Sequence, residues 1–519
     1  VTAPLRTRPG LWLFILLVCA YAATFGGRLY SGDGIEMWRT AAGLLLRGDL
    51  ALEQDSSGRS WGYPGPDGRR YSPYALGLSL AEVPFVAAGK AAGALLPLDE
   101  RRREQVDWAA AVAVNLFVTA GCGLLVYLIG AEAGFGLRAA VSAAVLYGLG
   151  TMAWVYSKHD FAEPLCALAL AGAVWLLLRY RRDPRAWLLA AAGAMNGYTF
   201  FTKYQMVVYS PILVVWLLLA TDLRTRRVRD LLRPLAVFLV PGLLFGIANL
   251  AVNHARFGTW MSTGYGNQGA IFAGWTHVPT GLFGLLLSPG KGLFWYCPLV
   301  LASLFAWPAF HRRSPVLSLL SAAIAAATIL MFAPLWWWHG DWAWGPRYLV
   351  IPLPFMVLPL LGWLDRTPGG VAGRAQALRR RALIAFLLVA AIAVNFLGIT
   401  VNFFFPLQAY SDAGMVHDRW NFVPGLSPLR YHLHVVRSWL ARARGQDAED
   451  FVYVKWRDGE LSEERIPSGE YLKDPDFFFF RPRGSRAEQG ALSLVGLLFV
   501  AGAWGAWRKL GRSLETLSP

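Results

Sequence analysis

The sequence is poor in charge. Only 16% of its 519 residues are Asp, Glu, Lys or Arg, against 55% hydrophobic; ordinary soluble domains carry about 25% charged residues. The deficit is concentrated in runs with no charge at all: Leu11 to Ala23, Val112 to Ile129, Leu165 to Leu178, Ile212 to Ala220, Leu235 to Leu250, Leu317 to Met331, Leu383 to Leu397 and Leu492 to Trp504. A helix crossing a bilayer needs about 20 apolar residues, fewer where the bilayer thins. The runs are too long and continuous for barrel strands, and backbone in lipid must satisfy itself. The chain reads as an all-α polytopic membrane protein. Cysteine is also scarce. Cys19, Cys122, Cys166 and Cys297 all lie in or beside apolar runs, and no CxxC pair exists. Neither a disulfide framework nor a zinc site is indicated.

Acidic residues are outnumbered, 33 against 49 basic, for a net charge of +16. Such an excess invites a nucleic-acid reading, but its distribution argues against one. Segments 1–10, 131–138, 179–185, 222–233, 311–314, 365–381 and 508–519 hold 22 Lys/Arg and 6 Asp/Glu, so the rest carries 27 of each sign. The excess is an orientation signal that marks cytoplasmic loops, and no nucleic-acid partner is expected. Ala20-Tyr21-Ala22 resembles a signal-peptidase site, but an uncleaved first helix is expected, since the acidic loop after it needs an anchor.

Tyr74 to Leu96 looks apolar enough to span, yet a span here would flip every later basic loop. It also contains Glu82, Pro84 and Lys90. We read it as one or two helices in the outer interface, where a lysine snorkels. About twelve transmembrane helices then follow, near 11–27, 107–130, 138–156, 162–178, 186–203, 206–221, 234–252, 293–310, 315–335, 347–364, 382–405 and 491–507. Residues 1–405 form the transmembrane part, with 28–107 as first outer loop. Residues 406–490 form a small extracytoplasmic segment, and 491–519 the last helix and cytoplasmic tail. Within 406–490, "VYVKWRDGELSEERIP" alternates like a hairpin around Asp458-Gly459.

On this topology the unusual polar motifs share the outer side. Ionisable residues at membrane depth are costly and usually functional. "SGDGIEMWR" (31–39) offers Asp33 and Glu36. Asp-x-x-Glu is also a capping-box pattern, with Asp33 as N-cap and Glu36 three residues on. The flanking glycines allow close backbone approach, which suits a carboxylate meeting a bulky substrate. "DGRRYSPYALG" (67–77) adds Tyr71. "YSKHDFAEP" (156–164) supplies Lys158, His159, Asp160 and Glu163, with Asp160 also a candidate N-cap for the helix that follows. Lys203 is a lone cation among Phe200, Phe201, Tyr204 and Tyr209. It either snorkels to headgroups or meets an anionic lipid phosphate. "SPGKGLFWYCP" (288–298) lacks the spacing of a nucleotide phosphate loop, but Gly290, Lys291 and Gly292 could hold a phosphate through backbone N–H groups and an ammonium. "WWWHGDWAWGPRY" (336–348) combines five tryptophans, Trp342 among them, with His339, Asp341 and Arg347. An aromatic belt is one reading. The other is sugar recognition by aromatic faces and carboxylates, with an Arg fork for phosphate. His159 with Asp160, or His339 with Asp341, makes an incomplete ligand set, so no metal is expected, a divalent cation staying the open alternative.

Together these motifs, in this order, resemble bacterial membrane glycosyltransferases of the GT-C fold, in the broad group of protein O-mannosyltransferases and lipid A aminoarabinose transferases. The resemblance rests on "SGDGIEMWR", "YSPYALGLSLAEVPF", "YSKHDFAEP", "SPGKGLFWYCP", "WHGDWAWGPRYL", "WNFVPGLSPL" and "DPDFFFFR". It implies a bacterial plasma-membrane enzyme whose active site faces outward. The donor would be a polyprenyl-phosphate sugar, and the acceptor a glycan, lipid-linked glycan or protein. No cofactor is implied. Asp33 would be the base of an inverting transfer. Lys203, Lys291 and Arg347 would face the donor phosphate, while Glu36, Lys158, Glu163, Tyr71, His339, Asp341 and Trp342 would contact substrate. One departure stands out: the mannosyltransferase-like pattern often has Asp followed directly by Glu, whereas Gly34 follows Asp33. A transporter or flippase of a lipid-linked sugar is the rival reading; it needs aromatics and cations but no base.

Overall fold

The computed structural model describes residues 3–54, 58–220, 228–264, 277–365, 370–415, 417–457, 460–468, 474–481 and 485–516. It is a bundle of α-helices with two small antiparallel sheets. Helices occupy every position expected for a span. Seven helices among the described residues are long and apolar enough to cross a membrane by length and composition. Four shorter apolar helices accompany them, at Arg8–Ala23, Leu137–Gly150, Tyr204–Leu219 and Leu353–Leu364.

Several expected spans are broken, 138–156 at Thr151 and 293–310 at Cys297 among them. Glu100–Val112 gives way to Val114–Glu132 at Ala113. The stretch from Arg347 divides into four short turns around Pro352, Pro354 and Pro359, because proline removes an N–H and clashes with the preceding turn. All of Leu349 to Leu361 is nonetheless buried, so this irregular backbone lies inside the bundle.

Gly77–Leu95, expected in the interface, forms one helix and is one of the seven. It packs chiefly against Glu100–Val112 and Gly32–Leu46. Leu78 in its first turn belongs to one buried apolar cluster with Val114, Val118 and Leu165. Its second half runs beside Glu100–Val112, with Gly89 against Asp107 and Ala110 and Lys90 paired to Asp107. It therefore extends away from the Val114–Glu132 helix rather than alongside it.

The segment after Thr400 folds back over the same end of the bundle. The amphipathic Pro428–Ala443 helix buries Tyr431, His432 and Val435, and His432 packs on Trp344. The expected hairpin is present as Phe451–Arg457 paired with Glu460–Ile466, in register from Phe451 opposite Ile466 to Arg457 opposite Glu460. Its turn residues 458–459 lie outside the described residues.

Candidate active site

The Gly32–Leu46 helix positions Asp33. Its N-cap is Ser31, whose backbone is extended (φ −134°, ψ 155°) and whose side-chain oxygen accepts the Gly34 N–H at 2.9 Å. The expected capping box is thus corrected. Asp33 lies inside the first turn and its carboxylate is drawn elsewhere. Its Oδ2 accepts from Arg347 Nη1 at 2.9 Å and its Oδ1 from the Tyr74 hydroxyl at 2.6 Å. Burial pushes the carboxyl up, but the Arg347 guanidinium and the two hydrogen bonds outweigh it and hold Asp33 below the usual aspartate value.

A second ion pair adjoins the first. Glu163, at the start of the Glu163–Arg182 helix, accepts from Lys203 Nζ at 2.8 Å and lies 3.9 Å from Arg347 Nε. Lys203 ends the Ala186–Thr202 helix and points inward, its ammonium 4.9 Å from the Tyr348 ring centre; it does not snorkel. The Arg347 guanidinium lies over the Phe161 and Tyr348 rings, 5.0 and 5.3 Å from their centres. All four charged groups line a cavity of about 970 Å³ together with His339, Asp341 and Trp336 to Trp338. His339 Nδ1 accepts the Asp341 N–H at 3.0 Å, and Asp341 adopts a left-handed φ of 57°. That conformation is uncommon outside glycine and tolerated by aspartate.

Several expected site residues are placed elsewhere. Glu36 lines neither this cavity nor the one that takes Trp342; its Oε1 accepts the Gly62 N–H at 3.1 Å, and burial pushes its carboxyl up to about 7. Tyr71 is buried in the small sheet with its hydroxyl on Asp67 at 2.6 Å. Lys158 is buried against Asp476 at 2.9 Å and bonds the Ile399 and Asp476 carbonyls. Trp342 lines a separate, larger cavity and packs on Phe404. Lys291 is buried and bonds the Asp341 and Ala343 carbonyls at 2.8 and 2.6 Å, pinning the loop that carries His339 and Arg347. Burial lowers its ammonium to about 7. The phosphate cradle expected at Gly290 to Gly292 is corrected too. Its three N–H groups are taken by the Asn421 carbonyl, the Ser288 hydroxyl and the Ser288 carbonyl, which leaves none for an anion.

Asp160 does not cap the helix after it; that N-cap is Ala162, which has no side-chain cap bond. Asp160 Oδ2 instead accepts the Tyr30 and Ser31 N–H groups at 2.9 and 3.1 Å. A Cβ at position 34 would collide with the Asp160 carboxylate. Gly34 thus makes room for a protein carboxylate, where the sequence had pointed to a substrate. Burial raises Asp160 to about 7 despite those N–H groups. Tyr74, Phe161 and Tyr348 escaped sequence reasoning because single aromatics among 72 Phe, Trp and Tyr residues carry no signal. All three did stand inside quoted motifs. Among the described residues no group of three or more His, Cys, Asp or Glu is placed to hold a metal ion.

Residues 103–249 match the family model of dolichyl-phosphate-mannose-protein mannosyltransferases. No curated protein matches the chain. Among solved structures, the apo oligosaccharyltransferase of Archaeoglobus fulgidus is similar at 12% identity and a TM-score of 0.49, covering 75% of this chain and 56% of that one. ArnT from Cupriavidus metallidurans in the apo state is similar at 17% identity and 0.46, covering 97% and 75%. Its undecaprenyl phosphate complex gives 16% and 0.44, covering 93% and 87%. The chain thus spans little more than half the length of the archaeal protein. The family match covers less than a third of the chain and takes in Glu163 and Lys203.

Proposed function

We propose that this chain is an integral membrane glycosyltransferase that moves a sugar from a polyprenyl-phosphate-linked donor to an acceptor hydroxyl, with inversion, at the outer face of a bacterial plasma membrane. The observation that carries the reading is one cavity holding an ionised carboxylate, Asp33, beside two cations, Arg347 and Lys203. The family match supports a lipid-phosphate sugar donor.

Asp33 takes the proton of the acceptor hydroxyl as its oxygen attacks the anomeric carbon. The bond from that carbon to the phosphate oxygen breaks, and the electron pair leaves with the polyprenyl phosphate. Arg347 and Lys203 stabilise that leaving charge. In the free protein both cations are paired, to Asp33 and Glu163. A donor phosphate competes for Arg347 and loosens its hold on Asp33, so donor binding frees the base. Attack from the face opposite the phosphate gives inversion. Trp336 to Trp338 offer the sugar apolar faces in the same cavity. Gly77–Leu95 lies at the outer surface in this reading, because its partner Glu100–Val112 extends past the site end of Val114–Glu132.

Purified protein supplied with a panel of polyprenyl-phosphate sugars and envelope glycans should release polyprenyl phosphate as sugar appears on acceptor. Sugar-lipid translocation in vesicles without any such release would replace the enzyme by a carrier. In a Cys19→Ser background, a cysteine placed at Arg101 should label from outside and one at Arg182 should not; the reverse pattern would invert the topology.

A further inference from the structure

The larger cavity, about 1400 Å³, lies on the other side of the Asp33 helix start. Tyr30, Ser31, Gly32 and Ile35 line it, whereas Asp33 and Met37 line the smaller one. The tryptophan-rich loop divides in the same way, with Trp342 in the larger cavity and His339 and Asp341 in the smaller. The two cavities thus lie on either side of the segment that carries the base.

Its charge is one-sided. Arg28, Arg59, Arg101, Arg102 and Arg481 line it, against Asp99 and Glu488 alone. Both carboxylates lie 3.6 Å from the single guanidinium of Arg102. Behind the wall, Asp476 is shared by Lys158 at 2.9 Å, Arg481 at 2.7 Å and Arg28 at 3.8 Å. One carboxylate thus serves three cations, two of which border the cavity. Arg481 is 7% exposed, and its Nε is buried without a hydrogen-bond partner among the described residues. Buried guanidinium groups with too few carboxylates are costly, and an anion in the cavity would offset that cost. Aromatic residues complete the wall, including Trp61, Trp342 and Phe404.

Resting on the glycosyltransferase reading, we infer that the larger cavity is the acceptor site and that the acceptor is an anionic glycan, bearing phosphate or carboxylate near the hydroxyl that is glycosylated. Arg28 and Arg481 hold its charge, and the aromatic rings hold its sugars.

The test uses radiolabelled maltotriose phosphate and neutral maltotriose as probes on purified full-length protein. The phosphorylated probe should bind about tenfold tighter, and the margin should shrink with salt. Arg28→Gln should erase most of the margin by itself, and the double variant Arg59→Gln/Arg101→Gln, at two exposed positions, should narrow it by a smaller part. Binding of polyprenyl phosphate should be unchanged in all of them. Equal binding of the two probes overturns the inference and leaves the Asp33 chemistry untouched. Loss of polyprenyl-phosphate binding in these variants overturns it differently, by moving the donor into this cavity. Displacement of the probe by phosphatidylglycerol nanodiscs, but not by phosphatidylcholine ones, would make the cavity a lipid headgroup site instead.

Discussion

The two cavities share a wall and differ in charge. The smaller has two cations and three carboxylates, Asp33, Glu163 and Asp341. The larger has five arginines and two carboxylates. In the smaller, Asp33 and Glu163 each meet a cation at hydrogen-bond distance. In the larger, cations crowd a single buried carboxylate. A site whose cations are paired can exchange partners when a phosphate arrives, whereas one with surplus cations is primed to take an anion. The residues beyond the basic loops carry 27 charges of each sign. Balance in composition thus conceals a division in space.

The comparison breaks first at Asp33. Asp33→Asn keeps the shape but removes the base, so turnover should fall at least about 100-fold while donor still binds. Near-normal turnover would take Asp33 out of the chemistry. Arg347→Ala and Lys203→Ala should each cost donor use about 2–5 kcal/mol, since each leaves a carboxylate without its cation. Donor titrations with single-turnover rates would read this, and an unchanged donor affinity and rate would remove that cation from the site. The shared wall itself is sharpened by Gly34→Ala. Its methyl group would strike Asp160, and the resulting shift should destabilise the protein by about 1–3 kcal/mol. Thermal unfolding in detergent reads this, with Gly32→Ala as a control, because a Cβ there meets only Trp61 at 3.6 Å.

The smallest effect concerns pH. Glu36 is raised from 4.5 to about 7 by burial. Between those values the folded protein holds a proton that the unfolded chain has lost, so Glu36's contribution to stability declines as pH rises through this window. Glu36→Gln should flatten that part of the melting-temperature profile. Asp33 is shifted the other way and stays ionised throughout the window.

Much of the smaller cavity was legible in the sequence. Asp33, Glu163, Lys203, His339, Asp341 and Arg347 all line it. They stood out because a charge beside an apolar run is expensive to keep without a task. Lys158 and Lys291 stood out by the same argument, and their task is structural. Each ammonium is spent on backbone carbonyls, tying Ile399 and Asp476 in one case and Asp341 and Ala343 in the other. Sequence context cannot separate a cation that meets a ligand from one that meets a carbonyl 241 or 50 residues away.

The sequence by itself determined the helical membrane architecture, since charge-free runs of this length satisfy their backbone in lipid only as helices. It also determined which polar residues were candidates and where the hairpin pairs. The tertiary structure decided what each candidate does. Ser31 caps the helix, which leaves Asp33 to Arg347 and Tyr74. Asp160, 130 positions along the chain from Tyr30, fixes the approach to that helix, and Gly34 exists to admit it. It alone also sorted the arginines of distant segments, from Arg28 to Arg481, onto one cavity wall. Local sequence sets propensity, periodicity and charge; which groups come within hydrogen-bond reach of one another is set by how the helices pack.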